Sequence, residues 1–249
     1  KKQKNNKPGY GDFGNLSKQY AKYRTGYPKE VTQYFWKNVR TKNPKILDIG
    51  RGTGISTRQL VRAGATIIGV DKDINMIKEA KKAEDGIEYI IASAISLPFA
   101  DESFDVATSF SSFHWFTDDD SVREIKRILK PNGIYFVANK SEIRWLKIGF
   151  RSIVQNIIND LPNIRANYNA EEILKVAGFR NVVYKVFNSD MSFSIDHALQ
   201  YVKTVSLWNL VPDNRKKEVL DKFELYCKKS AENGVVKSMA KIIVTVGRK

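Results

Sequence analysis

The sequence has one cysteine, Cys227, and two histidines, His114 and His197, among 249 residues. A single cysteine cannot form an intramolecular disulfide, and such scarce use of cysteine is typical of a reducing compartment. The sequence also lacks an apolar run long enough to span a bilayer, and no signal-peptide core follows the N-terminal lysines. We therefore expect a cytoplasmic protein that does not enter a membrane.

Negative charge is also comparatively scarce, because 42 Lys+Arg residues stand against 27 Asp+Glu residues and the formal net charge is +15. A field of that sign attracts anionic partners, whether an acidic metabolite, a nucleic acid or a membrane surface. The lysines are dispersed, with modest clusters near 1–7 and 216–229, and dispersed lysines usually belong to a solvated surface. The charge leaves a nucleic-acid partner open without favouring it, and nothing in the sequence predicts the oligomeric state.

The most informative stretch runs from Lys45 to Ile55, where a short apolar run ends in an acidic residue and three alternating glycines. These are Gly50, Gly52 and Gly54. Glycines at this spacing let the backbone turn sharply and approach a ligand, and the helix expected next would point its N–H groups at that ligand. A dinucleotide fingerprint needs its third glycine at position 55, which is Ile55 here. The stretch therefore predicts a nucleotide-like cofactor other than a dinucleotide.

Two acidic residues refine this prediction. Asp48 ends the first apolar run, where a carboxylate would repel a phosphate but can steady the turn and attract an ammonium or sulfonium group. Asp71 ends the next apolar run, at the position where such folds bind two ribose hydroxyls. Two carboxylates without a phosphate-binding cradle indicate S-adenosylmethionine.

Strands and helices alternate through the middle of the chain. Strands are expected near 45–49, 66–71, 87–91, 104–109 and 133–138, and helices near 54–63, 74–83 and 120–129. This alternation is typical of an α/β fold with a doubly wound, parallel sheet. Further strands are expected at 181–187 and 239–246.

Several segments from Tyr20 to Lys140 together resemble the class I S-adenosylmethionine-dependent methyltransferases, and within them the small-molecule branch with trans-aconitate and ubiquinone/menaquinone-type methyltransferases. The matching segments are Tyr20–Pro28, the glycine turn, Gly69–Asp71 followed by Met76, Ser96–Phe99, Ser103–Val106, Phe113–Phe116 and Leu129–Gly133. Each motif is weak alone, and their order makes the resemblance specific.

The resemblance implies a mostly parallel, seven-stranded Rossmann-like sheet with helical lid insertions. It divides the chain into an N-terminal helical lid segment at 1–40, a cofactor-binding core at 41–140, and substrate-side helical insertions with the last two strands at 141–249. The implied cofactor contacts are Tyr20, Asp48, Gly50, Gly52, Gly54, Asp71, Lys72, Met76, Ser93, Ala94 and Ser109.

Two residues depart from the family pattern. Arg51 stands where the family usually has a small residue or cysteine, and Ser93 stands where it usually has an aspartate. A serine hydroxyl can still accept the hydrogen bond of an adenine amino group. These departures keep open a catalytically silent, cofactor-binding regulatory protein, because fold does not fix function.

Methyl transfer mainly requires the acceptor, methyl carbon and sulfur to be held in line without water. An ionised carboxylate acceptor needs only cations to bind it, whereas other acceptors use a base. His114 is the candidate base or substrate contact, with Trp115 beside it, although both can simply form a pocket wall. Arg24 and Arg144 are candidates to bind an anionic acceptor, with surface salt bridges as the alternative. We expect a small acceptor, with carboxylates as the first class to consider.

An RNA-directed methyltransferase is the main alternative. Base N-methylation in this fold typically uses an Asn/Asp-Pro-Pro-aromatic segment, and the corresponding place here is Ser109–Phe113. Pyrimidine C5 chemistry needs a cysteine nucleophile, and Cys227 lies far downstream on a predicted helix. Ribose or unusual base methylation stays open.

The acidic run Asp118–Asp120 precedes a helical pattern of apolar residues. Carboxylates at a helix start cap its free N–H groups and complement its dipole. We therefore interpret the run as a helix cap, and we expect no metal site.

Overall fold

The computed structural model describes residues 13–143, 145–158, 161 and 168–249. The chain forms two compact units. One, the helical unit, takes its described residues from 1–24, 141–166 and 188–241, and the other, the sheet unit, from 25–140, 167–187 and 242–249. The predicted acceptor contact Arg144 lies outside the described residues.

Nine α-helices and seven β-strands lie within the described part of the chain. The helices are α1 Ser17–Tyr23, α2 Lys29–Asn38, α3 Ile55–Arg58, α4 Ile74–Lys81, α5 Asp119–Ile128, α6 Trp145–Gln155, α7 Ala170–Val176, α8 Ile195–Val202 and α9 Lys216–Ser230. The strands are β1 Lys45–Ile49, β2 Thr66–Asp71, β3 Glu88–Ile91, β4 Phe104–Phe110, β5 Leu129–Ile143, β6 Arg180–Ser194 and β7 Val235–Arg248.

The strands form one sheet in the order β3-β2-β1-β4-β5-β7-β6. The four pairs from β3 to β5 are parallel, and β1 is flanked by β2 and β4. The strand order reverses direction between β1 and β4, and ligands bind at such switch points, outside the carboxyl ends of the strands. The predicted α/β class and seven-stranded sheet are confirmed.

The central strand β1 is buried on both faces, which is why it reads as an apolar run rather than as an alternating pattern. Leu47 and Ile49 pack into the apolar core on one face, and Ile46 packs into the core on the other. Asp48, at 0% exposure, is the exception in this strand. A buried carboxylate is costly unless it is hydrogen-bonded, so its partners matter for the site.

Several elements differ in length from the sequence prediction, among them α3, β5, β6 and β7. The helix predicted over 54–63 ends at Arg58, because the next N–H groups, from Gln59 to Val61, bond to carbonyls three residues back. The strand predicted over 133–138 begins at Leu129, and its register against β4 shifts between Phe104 and Val106. Asn132 lies in this irregular part with φ +63°. A bulge of this kind is not visible as a period in the sequence.

The predicted cap of α5 is confirmed. Asp118 Oδ1 accepts the N–H of Ser121 at 2.9 Å, which satisfies one of the free donors of the first turn. Val122, Ile125 and Ile128 follow on the buried face of the same helix.

The helical unit has its own apolar core. Its buried members include Phe150, Met191, Tyr201, Trp208, Phe223 and Cys227. Helix α1 contacts α8, and α9 contacts both α6 and α8. No helix in the described part of the chain has the length and apolar character needed to cross a membrane.

Candidate functional site

The glycine turn follows β1 and is tied to the end of β2. The N–H groups of Gly50 and Arg51 both donate to the carbonyl of Val70, at 2.9 and 3.3 Å. Gly50, Gly52 and Gly54 have φ of +67°, +58° and +79°. This left-handed region is open to glycine and costly for residues with a Cβ, so the sequence spacing and the backbone shape agree.

Gly50 is also a point of close approach. A Cβ there would lie 2.7 Å from Ser112 Cβ and 3.0 Å from Phe116 Cε1. Ser112 in turn donates its hydroxyl to the carbonyl of Ile49 at 2.8 Å. The segment after β4 therefore packs directly against the turn after β1 and is hydrogen-bonded to the end of β1.

Asp48 supports the turn from inside the core. Its carboxylate accepts the hydroxyls of Thr57 at 2.5 Å and of Thr108 at 2.8 Å. Burial raises the pKa of Asp48 to about 6, while the two hydroxyls and the charge of Arg51 act in the opposite direction. Asp48 thus links β1, α3 and β4, which fits the expected role of steadying the turn.

We expect Asp48→Asn to change how stability depends on pH. The pKa of Asp48 is about 6 in the folded chain, against the ordinary value of 3.8 that applies to the unfolded chain. Between these two pH values the folded state holds a proton that the unfolded state has released. Its contribution to stability is present below about pH 4 and is lost as pH rises through about 6, a change on the order of 3 kcal/mol.

Denaturant unfolding of both proteins from pH 4 to 7 measures this difference. The free energy of unfolding of Asp48→Asn should rise relative to wild type across this range. Parallel curves for Asp48→Asn and wild type would contradict the buried, titrating carboxylate.

Asp71 stands at the carboxyl end of β2, beside the turn. Its Oδ2 accepts the N–H of Gly52 at 2.7 Å, and its Oδ1 accepts the N–H of Asp73 at 2.9 Å. Burial raises the pKa of Asp71, whereas these two bonds and the charge of Arg51 lower it. Each carboxylate oxygen can accept a further hydrogen bond, so Asp71 keeps capacity for two hydroxyl donors.

Arg51 is the unusual residue of the turn. Its side chain is 6% exposed, and none of its guanidinium nitrogens has a hydrogen-bond partner among the described residues. The guanidinium carbon lies 3.6 Å from the ring centroid of Tyr89 in β3. A buried, unpaired cation costs several kcal/mol, and the aromatic face offsets only part of that. The remaining compensation must come from nearby negative charge.

The turn after β3 holds two further predicted contacts, Ser93 and Ala94. Ser93 is exposed and Ala94 is buried, and the N–H of Ala92 donates to the carbonyl of Asp71 at 3.1 Å. That bond places the turn next to the predicted ribose contact. Lys72 is exposed directly after Asp71, and Met76 is buried in α4.

The segment after β4 holds the other predicted residues of the sheet unit. Ser109 is fully buried, and its hydroxyl lies 2.8 Å from that of Tyr135. The Ser109 hydroxyl is thus used inside the core, and its predicted cofactor contact stays a prediction. His114 and Trp115 lie in a short 3₁₀ helix, Phe113–Trp115, and both are exposed.

Tyr20 and Arg24 belong to the helical unit. Arg24 donates to the hydroxyl and carbonyl of Thr204 at 2.9 and 2.8 Å and to the hydroxyl of Tyr201 at 2.9 Å. Its guanidinium carbon lies 5.0 Å from the ring centroid of Tyr20. These contacts give Arg24 a structural role between α1 and α8. Its predicted contact with an acceptor, and that of Tyr20 with the cofactor, stay predictions.

Sequence reasoning missed the residues that hold the segment before α2. The side-chain amide of Gln59 accepts the N–H of Tyr27 and donates to its carbonyl, both at 2.7 Å. The Tyr27 hydroxyl lies 2.6 Å from that of Ser111, and Lys140 donates to both the hydroxyl and the carbonyl of Thr25. These partners are 32 to 115 positions apart, so no local pattern signals them.

The residues of the turn fit S-adenosylmethionine. Asp71 retains acceptor capacity for two ribose hydroxyls, and the positive φ of the three glycines gives a turn whose backbone can approach a ligand without a Cβ. The hydroxyl of Thr53 is buried without a partner in the described part of the chain, which suits a polar ligand at the turn.

Comparison with known proteins identifies a methyltransferase domain within the chain. A family model described as "Methyltransferase domain" matches residues 47–137, from β1 to β5. An uncharacterized methyltransferase of Schizosaccharomyces pombe is 26% identical over 207 residues, which are 80% of each chain. Demethylmenaquinone methyltransferase of Corynebacterium kroppenstedtii is 36% identical over 90 residues, 36% of this chain and 38% of that one.

A solved structure shares the fold. It is phosphoethanolamine N-methyltransferase 2 of Haemonchus contortus, in complex with phosphomonomethylethanolamine and S-adenosylhomocysteine. The TM-score is 0.56 at 18% identity, and the match covers 95% of this chain and 57% of that one. The matched domain holds the glycine turn and the Asp71 carboxylate, and the chain is an S-adenosylmethionine-dependent methyltransferase with the Rossmann-like fold of its solved neighbours.

Proposed function

We propose that this methyltransferase acts on a small, anionic acceptor, with carboxylates as the favoured class, bound beside the segment after β4. The observation that carries the proposal is the pair His114 and Trp115. Both are exposed, while Phe113 and Phe116 on either side are buried and fix the segment in the core. This arrangement presents a polar ring and an apolar ring at the carboxyl edge of the sheet, where ligands of open α/β sheets bind.

The chain's own residues supply position rather than covalent chemistry. S-adenosylmethionine, when bound, supplies an activated methyl group on a sulfonium. The carboxylate of Asp71 would accept the ribose hydroxyls, and the glycine turn would let the backbone lie close to the ligand. Trp115 would cover apolar ligand surface and exclude water, which favours an in-line arrangement of the acceptor and the methyl carbon.

Charge supports an anionic acceptor. The net charge of +15 raises the local concentration of anions around the protein. The Haemonchus contortus enzyme, which shares the fold, was solved with a phosphate-bearing amine. An ionised carboxylate needs no base at neutral pH, so His114 would contact such an acceptor without taking a proton from it.

Methylation of a pyrimidine at C5 is disfavoured. The only cysteine, Cys227, is buried at 0% exposure in the core of the helical unit. Burial raises the pKa of the Cys227 thiol to about 12, so it is not the accessible thiolate that this chemistry requires.

The test is a screen of small carboxylates, amines and phenols, with structured RNA included, by release of S-adenosylhomocysteine. We expect turnover with a carboxylate, and His114→Ala should keep turnover within about threefold. If the acceptor is instead a hydroxyl or carbon acid that needs His114 as a base, His114→Ala should lower turnover roughly a hundredfold. His197→Ala is the matched control, because the His197 ring contacts the carbonyl of Tyr23 within the helical unit. Turnover of RNA with no turnover of any small acceptor would contradict the proposal.

A further inference from the structure

The side chain of Arg51 occupies a space that this particular sequence leaves for it. A Cβ on Gly69, in the middle of β2, would collide with Arg51 Cδ, and a Cβ on Gly54 would lie 2.6 Å from an Arg51 terminal nitrogen. Tyr89, paired with Gly69 across the sheet, provides the ring under the guanidinium. The cation is thus enclosed by the turn, β2 and β3.

The Arg51 side chain lies over Gly69, on the same face of β2 as the Asp71 side chain. Residues two apart on a strand point to the same face, so the side chain passing Gly69 runs on the Asp71 side. The Gly52 N–H, next in the chain after Arg51, bonds directly to the Asp71 carboxylate at 2.7 Å. Arg51 therefore lies beside the predicted ribose contact without donating a hydrogen bond to it.

Other charged or titratable groups act on this pair. They are Asp48 from the end of β1, Asp73 at the start of α4, Arg58 from α3, and Asp85 with Tyr89 from β3 and the loop before it. The Tyr89 hydroxyl donates to the Asp85 carboxylate, and Arg58 lies 3.5 Å from the same carboxylate. Asp85 also accepts the N–H of Ile87 at 3.0 Å, so three partners engage it, while the Arg51 guanidinium has no hydrogen-bonded partner in the described residues.

We propose that Arg51 is a positioning residue for the cofactor site, whose buried cation keeps the Asp71 carboxylate ionised and able to accept hydrogen bonds from two hydroxyls. The inference rests on the assignment of Asp71 as the ribose contact. Burial favours the protonated carboxyl group, and a protonated carboxyl loses part of its acceptor capacity. A fixed positive charge in the same low-dielectric space opposes this. A small residue at position 51 would leave Asp71 without that support.

The experiment compares wild type, Arg51→Met and Arg51→Lys. The methionine side chain of Arg51→Met still covers Gly69 but carries no charge. The lysine side chain of Arg51→Lys carries the positive charge again. The dissociation constant of S-adenosylhomocysteine is measured by calorimetry from pH 5 to 8. Affinity for S-adenosylhomocysteine should fall as the pH is lowered, and the midpoint of this fall should lie at least one pH unit higher in Arg51→Met than in wild type. At low pH the variant should therefore lose about ten times more affinity than wild type does. Arg51→Lys should return the midpoint to near the wild-type value.

A second readout works without any ligand. A ¹³C NMR titration of the Asp71 carboxyl group should show the same upward shift in Arg51→Met. Equal midpoints in wild type and Arg51→Met, in both measurements, would overturn the inference even where overall affinity falls, because a purely structural role lowers affinity at every pH. Failure of wild type to bind S-adenosylhomocysteine at any pH would instead count against the assignment of Asp71, and the carboxyl titration would then decide the role of Arg51.

Discussion

Replacement of Asp71 by alanine is expected to weaken S-adenosylhomocysteine binding by about a hundredfold. The Asp71 oxygens each accept one backbone N–H and keep capacity for one ligand hydroxyl. Two lost hydrogen bonds to a charged acceptor, at about 1.5 kcal/mol each, correspond to about 3 kcal/mol, or a factor of roughly a hundred in the dissociation constant. Calorimetric titration measures the change directly.

The control for this variant is Asp120→Asn, an exposed carboxylate on α5 that is paired with Arg123 at the surface. Its dissociation constant should match that of wild type. Asp71→Ala must also remain folded, which its circular dichroism and thermal transition establish. A folded Asp71→Ala protein with unchanged affinity would show that Asp71 does not contact the ligand.

Gly50→Ala is expected to lower the free energy of unfolding by about 3 kcal/mol and to abolish measurable cofactor binding. The left-handed conformation costs an alanine about 1 kcal/mol, and the overlap with Ser112 adds about 2 kcal/mol. The turn can relieve the overlap only by moving away from the segment after β4. Such a movement displaces the backbone that approaches the ligand.

Gly86→Ala separates the two contributions. Gly86 has a similar φ of +72°, and no described atom lies within 4 Å of a Cβ built on it. This variant should lose only the conformational part, about 1 kcal/mol, and should keep full affinity. Denaturant unfolding of the two variants side by side gives the comparison, and equal losses would show that the close approach to Ser112 has no energetic consequence.

The glycine turn and its flanking strands could be predicted because their signals are local. The apolar run of β1 is buried on both faces, and the glycines at 50, 52 and 54 all adopt positive φ. The cap of α5 was equally local, since Asp118 and Ser121 are three residues apart. In each case the physical cause lies within a few residues of its effect.

The surroundings of Arg51 could not be predicted in the same way. The sequence marks Arg51 as a departure from the family pattern, but its enclosure depends on Gly69 and Tyr89, which reach it only through sheet pairing. The contacts of Gln59, directly after α3, could not be predicted for a related reason, because its side-chain amide bonds to the backbone of Tyr27, 32 positions away. Strand β6 continues to Ser194, beyond the predicted end at 187, and burial alternates regularly from Val186 to Ser194. The run Asn188-Ser189-Asp190 hides this extension in the sequence, because asparagine and aspartate are depleted in strands.

The most direct test of the account is calorimetric titration of the purified protein with S-adenosylmethionine and S-adenosylhomocysteine, with NAD as the control ligand. The glycine spacing, the Asp71 carboxylate and the absence of a glycine at position 55 predict micromolar binding of both sulfur ligands and no binding of NAD. Binding of NAD, or failure of both sulfur ligands to bind a folded protein, would contradict it.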